Sequence, residues 1–160
     1  MRRLLMVLLF AVVASGGAVR LLAQDNPFVG TWKLNVAKSK FEPGPAPKSL
    51  TRTVEAQGDG AKYSFDGVAA DGTAFSYNFT VKYDGKDYPV TGTGMPGGAD
   101  SISIKRIGAN KAEAIEKKGG REIGRATSEV SKDGKVSTVK IKGKTADGKA
   151  FSSDTVYDKQ

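Results

Sequence analysis

The chain has 160 residues, no histidine, no cysteine and a formal net charge of +8, from 25 basic and 17 acidic residues. Without cysteine there is no disulfide, thiolate nucleophile or thiolate metal site. Without histidine there is no Ser-His-Asp triad and no usual zinc or haem ligand.

The N-terminus has the layout of a secretory signal peptide. Arg2 and Arg3 give a charged start, an unbroken apolar run of 11 residues covers positions 4–14, and small residues lead on to Ala23. The alternative is a membrane anchor, but a spanning helix needs about 20 apolar residues. We therefore predict a cleaved signal peptide.

The expected cleavage after Ala23 releases residues 24–160, a length suited to one domain. Ser15 and Ala18 are alternative cleavage positions. Because residues 1–23 hold three basic residues and no acidic one, the net charge falls from +8 to +5. The predicted location is periplasmic or secreted.

Turn signals divide the remaining sequence into short runs of alternating apolar and polar residues. Asp-Gly pairs recur between these runs, and such pairs supply the positive-φ positions of tight hairpin turns. The clearest run covers residues 73–83 and places five side chains on one face: Phe75, Tyr77, Phe79, Val81 and Tyr83. This period of two predicts a strand and not a helix.

Ten candidate strands follow from the pattern. They begin near Phe28, Ser49, Ala61, Thr73, Asp87, Asp100, Lys111, Arg121, Lys135 and Lys149. The fifth carries Pro89 and is expected at an edge or a break. The seventh, Lys111–Lys118, has a pattern that also suits a helical turn.

Consecutive hairpins predict an all-β domain. An antiparallel up-and-down β-barrel of about ten short strands is favoured because closure removes unpaired strand edges. The one long connection, residues 37–48, holds three prolines and is expected to be an extended loop over one mouth. A low content of Leu, Ile, Val and Phe leaves disorder as an alternative, which the regular spacing disfavours.

Both ends of the predicted domain carry a short motif. Gly30-Thr31-Trp32 lies in the first strand, and Thr155-Val156-Tyr157-Asp158-Lys159 forms the last one. The first motif resembles the Gly-x-Trp opening of the lipocalins and fatty-acid-binding proteins, and the second is similar to the closing strand of the fatty-acid-binding proteins. The resemblance to this calycin superfamily implies a ligand-binding barrel, here an exported bacterial-type member.

The resemblance also implies structural roles for Gly30 and Trp32. Gly30 would let a neighbouring backbone or ring approach closely, and Trp32, the only tryptophan, would plug the narrow end of the barrel. In the family a basic side chain from the last strands covers that ring through a cation–π contact. Lys140, Lys142 and Lys159 are the candidates in this chain.

The sequence departs from the fatty-acid-binding proteins at the ligand's anionic group. That family uses an Arg-x-Tyr pair in the last strand; Tyr157 matches the tyrosine, but Thr155 stands in place of the arginine. Arg52 alternates in register with Leu50 and Val54, so an inward apolar face would place it inside the barrel as a replacement anion clamp. The alternative is a rim position paired with a surface carboxylate.

The remaining candidate ligand-binding residues are aromatic. They would line one wall of the interior together with Tyr157 and are Tyr63, Phe65, Phe75, Tyr77, Phe79 and Tyr83. The alternative is ordinary core filling, although ten strands enclose more space than eight. The departure from the family also includes the Pro-rich loop, which stands where those proteins have a helix pair.

Together these features predict an exported, non-enzymatic and monomeric binding protein for a small apolar or amphipathic molecule. We expect no cofactor, no metal, no nucleic-acid partner and no stable membrane insertion of the mature domain. The alternative is a structural or interaction barrel with a filled interior. The sequence shows no spaced carboxylate pair, nucleophile motif or phosphate loop of an enzyme. Charges in segments 121–132 and 135–144 disfavour an outer-membrane barrel.

Basic pairs such as Lys105-Arg106 and Lys117-Lys118 are interpreted as a solvated surface that protects strand edges. Loose attraction to anionic envelope polymers is the other interpretation.

Overall fold

The computed structural model describes residues 26–145 and 147–160. The predicted signal peptide, residues 1–23, lies outside the described residues, as do residues 24, 25 and 146. No helix in the described ranges is long and apolar enough to cross a membrane.

The described residues contain twelve strands and two short 3-10 turns. The first six strands are β1 (Gly30–Leu34), β2 (Lys40–Glu42), β3 (Ser49–Gln57), β4 (Gly60–Val68), β5 (Ala74–Val81) and β6 (Asp84–Pro89). The other six are β7 (Thr91–Gly92), β8 (Ser101–Arg106), β9 (Lys111–Lys118), β10 (Arg121–Val130), β11 (Val136–Lys144) and β12 (Ala150–Lys159). The 3-10 turns cover Val36–Lys38 and Pro96–Gly98.

All twelve strands belong to one antiparallel sheet that curls into a nearly closed barrel. The order is β6-β8-β9-β10-β11-β12-β1-β3-β4-β5-β7, with β2 also paired to β12. The free edges are β6 and β7, and β5 contacts both β6 and β8 across the gap. The prediction of an all-β antiparallel barrel is confirmed, with two very short strands, β2 and β7, beyond the ten expected.

The predicted loop over residues 37–48 is partly wrong, because β2 forms within it. Strand β12 pairs with β1 through Tyr157 and with β2 through Ser153, so β1 and β2 act as one strand interrupted by the first 3-10 turn. Across the interruption Asn35 N donates to the Val156 carbonyl at 2.8 Å, and Val156 N donates to Ser39 Oγ at 2.9 Å. These two hydrogen bonds bridge the interruption, and residues 43–48 remain a loop.

For three other predicted segments the structure changes an end or resolves an ambiguity. In the predicted run over residues 73–83 the strand ends at Val81. Tyr83 lies beyond the strand and has a positive φ of 58°. Lys111–Lys118 is a strand and not a helical turn. The segment with Pro89 is β6, which forms a sheet edge and ends at that proline.

The core lies in the barrel interior, as the alternation of the strands requires. In β3 the buried side chains are Leu50, Arg52 and Val54, whereas Thr51 and Thr53 are only half-buried. Phe28, Trp32, Val54, Val81 and Val130 are the large hydrophobic side chains with almost no exposure. One face of each strand thus points to a shared interior.

Candidate functional site

A cavity of about 130 Å³ lies inside the barrel, with walls of aromatic and aliphatic side chains and few polar groups. Six of the eight predicted ligand-binding residues line it: Arg52, Tyr63, Phe65, Tyr77, Phe79 and Tyr157. An apolar cavity of about 150 Å³ in another protein holds one benzene molecule. The space therefore suits a compound built around a single small ring or a short branched chain.

Arg52 lies inside the barrel and is 3% exposed. Its guanidinium carbon lies 4.6 Å from the ring centroid of Tyr157 and 5.3 Å from that of Trp32. These rings provide cation–π stabilisation, but Nε and Nη2 are buried without a hydrogen-bond partner. No carboxylate among the described residues lies within ion-pair distance of the guanidinium. A rim position paired with a surface carboxylate is therefore not what the structure shows.

The buried tyrosines do not neutralise this charge. Burial raises the pKa of Tyr63 and Tyr77 well above the ordinary value and raises the pKa of Tyr157 as well, so all three stay uncharged near neutral pH. Burial also lowers the pKa of Arg52, but a guanidinium starts so high that it stays protonated. The guanidinium therefore has no ion-pair partner among the described residues.

Stacked rings from β4 and β5 form one wall of the cavity. The ring centroids of Phe65 and Tyr77 are 4.5 Å apart with an interplanar angle of 12°, and those of Tyr63 and Phe79 are 5.1 Å apart at 21°. This geometry follows from register, because both pairs are cross-strand partners. The wall offers an apolar surface directly beside Arg52, whose β4 partner is Phe65.

Phe75 and Tyr83, the other two predicted site residues, do not line the cavity. Phe75 stacks on Tyr77 with centroids 6.5 Å apart and is half-buried. The Tyr83 hydroxyl instead lies 2.8 Å from the Tyr63 hydroxyl and accepts a hydrogen bond from Asn26 at 3.0 Å. Tyr83 thus anchors the described N-terminus to the barrel wall.

Glu116 is a polar cavity residue that the sequence analysis did not single out. It lies on β9, is 2% exposed, and its Oε2 is buried without a hydrogen-bond partner. Burial raises the pKa of this carboxyl from 4.5 to about 7. The alternation of Ala112, Ala114 and Glu116 is the signal that places it inward, but the apolar Ile115 between them offers a competing inward face.

Short elements cover one part of the cavity. Phe41 of β2 and Met95 and Pro96 at the second 3-10 turn contribute to its walls. None of these three was predicted as a site residue, because a strand or turn of three residues has too little periodicity to recognise. They are the side chains that a larger ligand would have to displace.

Gly30 and Trp32 act together with Lys159. Trp32 is fully buried and its Nε1 donates to the Phe28 carbonyl at 2.8 Å. Lys159 Nζ lies 5.1 Å from the Trp32 ring centroid, so Lys159 is the basic residue of the three candidates that covers this ring. The close neighbour of Gly30 is the Lys159 side chain and not a backbone or ring: a Cβ at this position would lie 2.7 Å from Lys159 Cε, and φ is 134°.

The structure also shows what Thr155 contacts, at the position where the fatty-acid-binding proteins carry an arginine. Thr155 is 5% exposed and its Oγ1 donates to the Val139 carbonyl at 3.0 Å. Arg52 approaches the Tyr157 ring from β3 instead. The cation thus reaches the same tyrosine from a different strand.

The fold and the site define a nearly closed antiparallel β-barrel with a small interior cavity that holds one unpaired arginine and one unpaired glutamate. No protein-family model and no curated protein sequence matches the chain. Its structure is similar to the crystal structure of zebrafish ileal bile acid-binding protein complexed with cholic acid. That similarity covers 84% of this chain and 99% of the zebrafish chain, with 14% sequence identity and a TM-score of 0.49.

Proposed function

We propose that this protein is an exported, non-enzymatic binding protein that holds a small amphipathic anion inside its barrel, with Arg52 binding the anionic group. The observation that carries this proposal is the buried guanidinium with two unpartnered donors at the cavity wall. A buried charge without a partner costs several kcal/mol, on the order of the ion desolvation penalty in proteins. An anionic ligand would remove that cost.

The two free donors have the geometry that an oxyanion needs. Nε and Nη2 are on the same side of the planar guanidinium, and this side can donate two parallel hydrogen bonds to one carboxylate. The stacked wall of Phe65, Tyr77, Tyr63 and Phe79 suits the apolar part of the same molecule. The ligand class is therefore a compact organic anion with an aromatic or branched body.

A substitution at Arg52 tests the binding role. Arg52→Gln keeps a polar side chain but removes the charge and the bidentate fork, so affinity for an anionic ligand should fall about a hundredfold. Lys140→Gln, at an exposed position on β11, is the matched control and should leave affinity unchanged. Binding is measured by calorimetry and by Trp32 fluorescence, because Trp32 lies beside the guanidinium. Equal affinity of Arg52→Gln and the unmodified protein would contradict the proposal.

Native mass spectrometry of protein from the periplasm or medium tests binding and export together. We expect a mass without residues 1–23 and a co-purifying small anion that is released on unfolding. Recovery of the full-length chain from membranes would contradict export.

A second candidate function, a structural barrel, is favoured by a cavity below the roughly 300–1,000 Å³ of ordinary ligand sites. Mature protein that carries no molecule and binds no small organic anion would support that candidate.

A further inference from the structure

We propose that the ligand of this cavity carries a hydroxyl or amino group opposite its anionic group, and that Glu116 accepts a hydrogen bond from it. This inference rests on the proposed function, because it concerns the same cavity. It names the ligand class more narrowly: a small carboxylic acid with a hydrogen-bond donor on the far side of its body.

The two polar groups lie on opposite walls of the barrel. Arg52 is on β3 and Glu116 is on β9, and four strands separate them along the sheet: β10, β11, β12 and β1. Both side chains line the same cavity of about 130 Å³. A molecule that fills this space touches both walls, so one ligand can meet both groups.

Arg52 and Glu116 do not form a hydrogen bond with each other. Glu116 Oε2 has no hydrogen-bond partner, and Arg52 Nε and Nη2 have none. A buried carboxyl and a buried guanidinium that face one cavity without forming an ion pair leave an acceptor and two donors for a third molecule. An amphipathic anion with one polar end would form hydrogen bonds with Arg52 alone. The Glu116 carboxyl would then stay buried without a partner, which costs free energy.

The barrel wall makes room for the Glu116 carboxyl at Gly124. These two residues are cross-strand partners on β9 and β10, and a Cβ at position 124 would lie 2.8 Å from Glu116 Oε2. Any side chain at this position would crowd the carboxyl. The Glu116 carboxyl thus occupies space that a glycine at position 124 leaves free.

The protonation of Glu116 is compatible with either kind of donor. Because burial raises its pKa to about 7, the carboxyl is neutral in part of the population near neutral pH, and its oxygens accept a hydrogen bond from a hydroxyl in either form. An ammonium group would favour the ionised form.

The experiment compares benzoate with 3-hydroxybenzoate and 4-hydroxybenzoate, which differ only in the added donor. Affinities for the mature chain are measured by calorimetry. We expect at least one hydroxybenzoate to bind about tenfold tighter than benzoate, because a ligand without the donor leaves a buried acceptor unpaired. In Glu116→Leu this ratio should fall to about one, because the acceptor is no longer present. Glu116→Gln retains an acceptor oxygen, so its ratio should stay above that of Glu116→Leu.

Glu113→Leu is the matched control, since Glu113 is exposed on the same strand. It should leave the preference for the hydroxyl unchanged. Benzoate that binds through Arg52 with no preference for either hydroxybenzoate would overturn this inference and leave the proposed function standing. A preference that survives in Glu116→Leu would overturn it as well. If none of the three acids binds, both the inference and the anion-binding proposal fail.

Discussion

Two buried side chains, Arg52 and Glu116, are placed where they weaken the fold of the empty barrel. Each has lost its hydration, and neither has a protein partner that restores its hydrogen bonds. Such local conflict between folding and polarity is typical of binding sites, where a ligand completes the interactions. Replacing either side chain by an apolar one should therefore raise the stability of the empty protein and weaken ligand binding.

Replacing the buried cation by an apolar side chain of similar length should stabilise the empty protein. Arg52→Met removes the desolvation cost and keeps packing against Tyr157 and Trp32, so we expect the free energy of unfolding to rise by about 1 kcal/mol. Urea denaturation of residues 24–160 measures this change. The same variant should lose anion binding. A loss of stability of similar size would show that the cation–π contacts outweigh the cost of burying the charge.

Glu116 should make stability depend on pH. Its pKa is about 7 in the folded state and about 4.5 in the unfolded chain, so the folded state holds the proton more tightly. Stability is therefore full below the unfolded value, falls as pH rises between the two values, and is level above. The total loss is about 3 kcal/mol.

Urea denaturation at about pH 5 and about pH 8 measures most of this difference, because the folded-state pKa of about 7 lies between these two values. Glu116→Gln should remove most of the slope. Equal stability of the unmodified protein at the two pH values would show that Glu116 is ionised in the folded barrel.

At the level of single residues, sequence reasoning succeeded where one face was unambiguous. Leu50 and Val54 placed Arg52 inward because no apolar residue lies between them to suggest the other face. Glu116 was missed because Ile115 is apolar and points outward, where it pairs with Arg125. Alternation identifies an inward polar residue only when its neighbours are polar.

At the level of elements, the long hairpins were predictable and the short pieces were not. Most of the ten predicted strands have their own alternating run, whereas β2 and β7 have only three and two residues. Their strand conformation comes from an exposed neighbouring edge: β2 extends along the first half of β12, and β7 pairs with two residues of β5. Tertiary pairing of this kind leaves no local period in the sequence.

Close contact between strand ends depends on one glycine at the start of β4. A Cβ at position 60 would lie 1.9 Å from the Val81 carbonyl oxygen, which is backbone and cannot turn away. We expect Gly60→Ala to lower the free energy of unfolding by about 3 kcal/mol through overpacking. Gly108→Ala is the control, because its nearest neighbour would be Lys111 Cβ at an ordinary 3.6 Å.

Thermal or urea unfolding of the two variants checks this prediction. Gly108→Ala should be neutral or slightly stabilising, by up to about 1 kcal/mol, because alanine restricts the unfolded chain. Similar stabilities of the two variants would mean that β4 and β5 can separate at this end at little cost.

At the level of the whole molecule, stability depends on sheet closure. The sequence contains no cysteine, so no disulfide supports the barrel. The sheet closes almost completely, and its two free edges, β6 and β7, are short. Strand β6 carries Asp84, Lys86, Asp87 and the terminal Pro89, which discourage pairing with another chain. An ion pair between Asp87 and Lys117 at 2.7 Å ties this edge to β9.

The strand order predicts where the barrel opens first. Strand β11 is paired along its length with β10 on one side and β12 on the other, whereas β6 pairs only with β8 and has a register shift between Asp84 and Asp87. Local opening at the free edges β6 and β7 breaks few ladder hydrogen bonds. Separating β11 from β10 and β12 breaks two complete ladders. We therefore expect amide hydrogen exchange at Asp87 and Tyr88 to be at least about a hundredfold faster than at Val139 and Ile141.

Exchange followed by nuclear magnetic resonance on residues 24–160 resolves these amides individually. Uniform protection of β6 and β11 would mean that the barrel opens only by global unfolding and that the gap is closed in solution. The predicted gradient would instead show that the barrel opens locally at the β6–β7 edge while the strands that carry Arg52 and Glu116 stay paired.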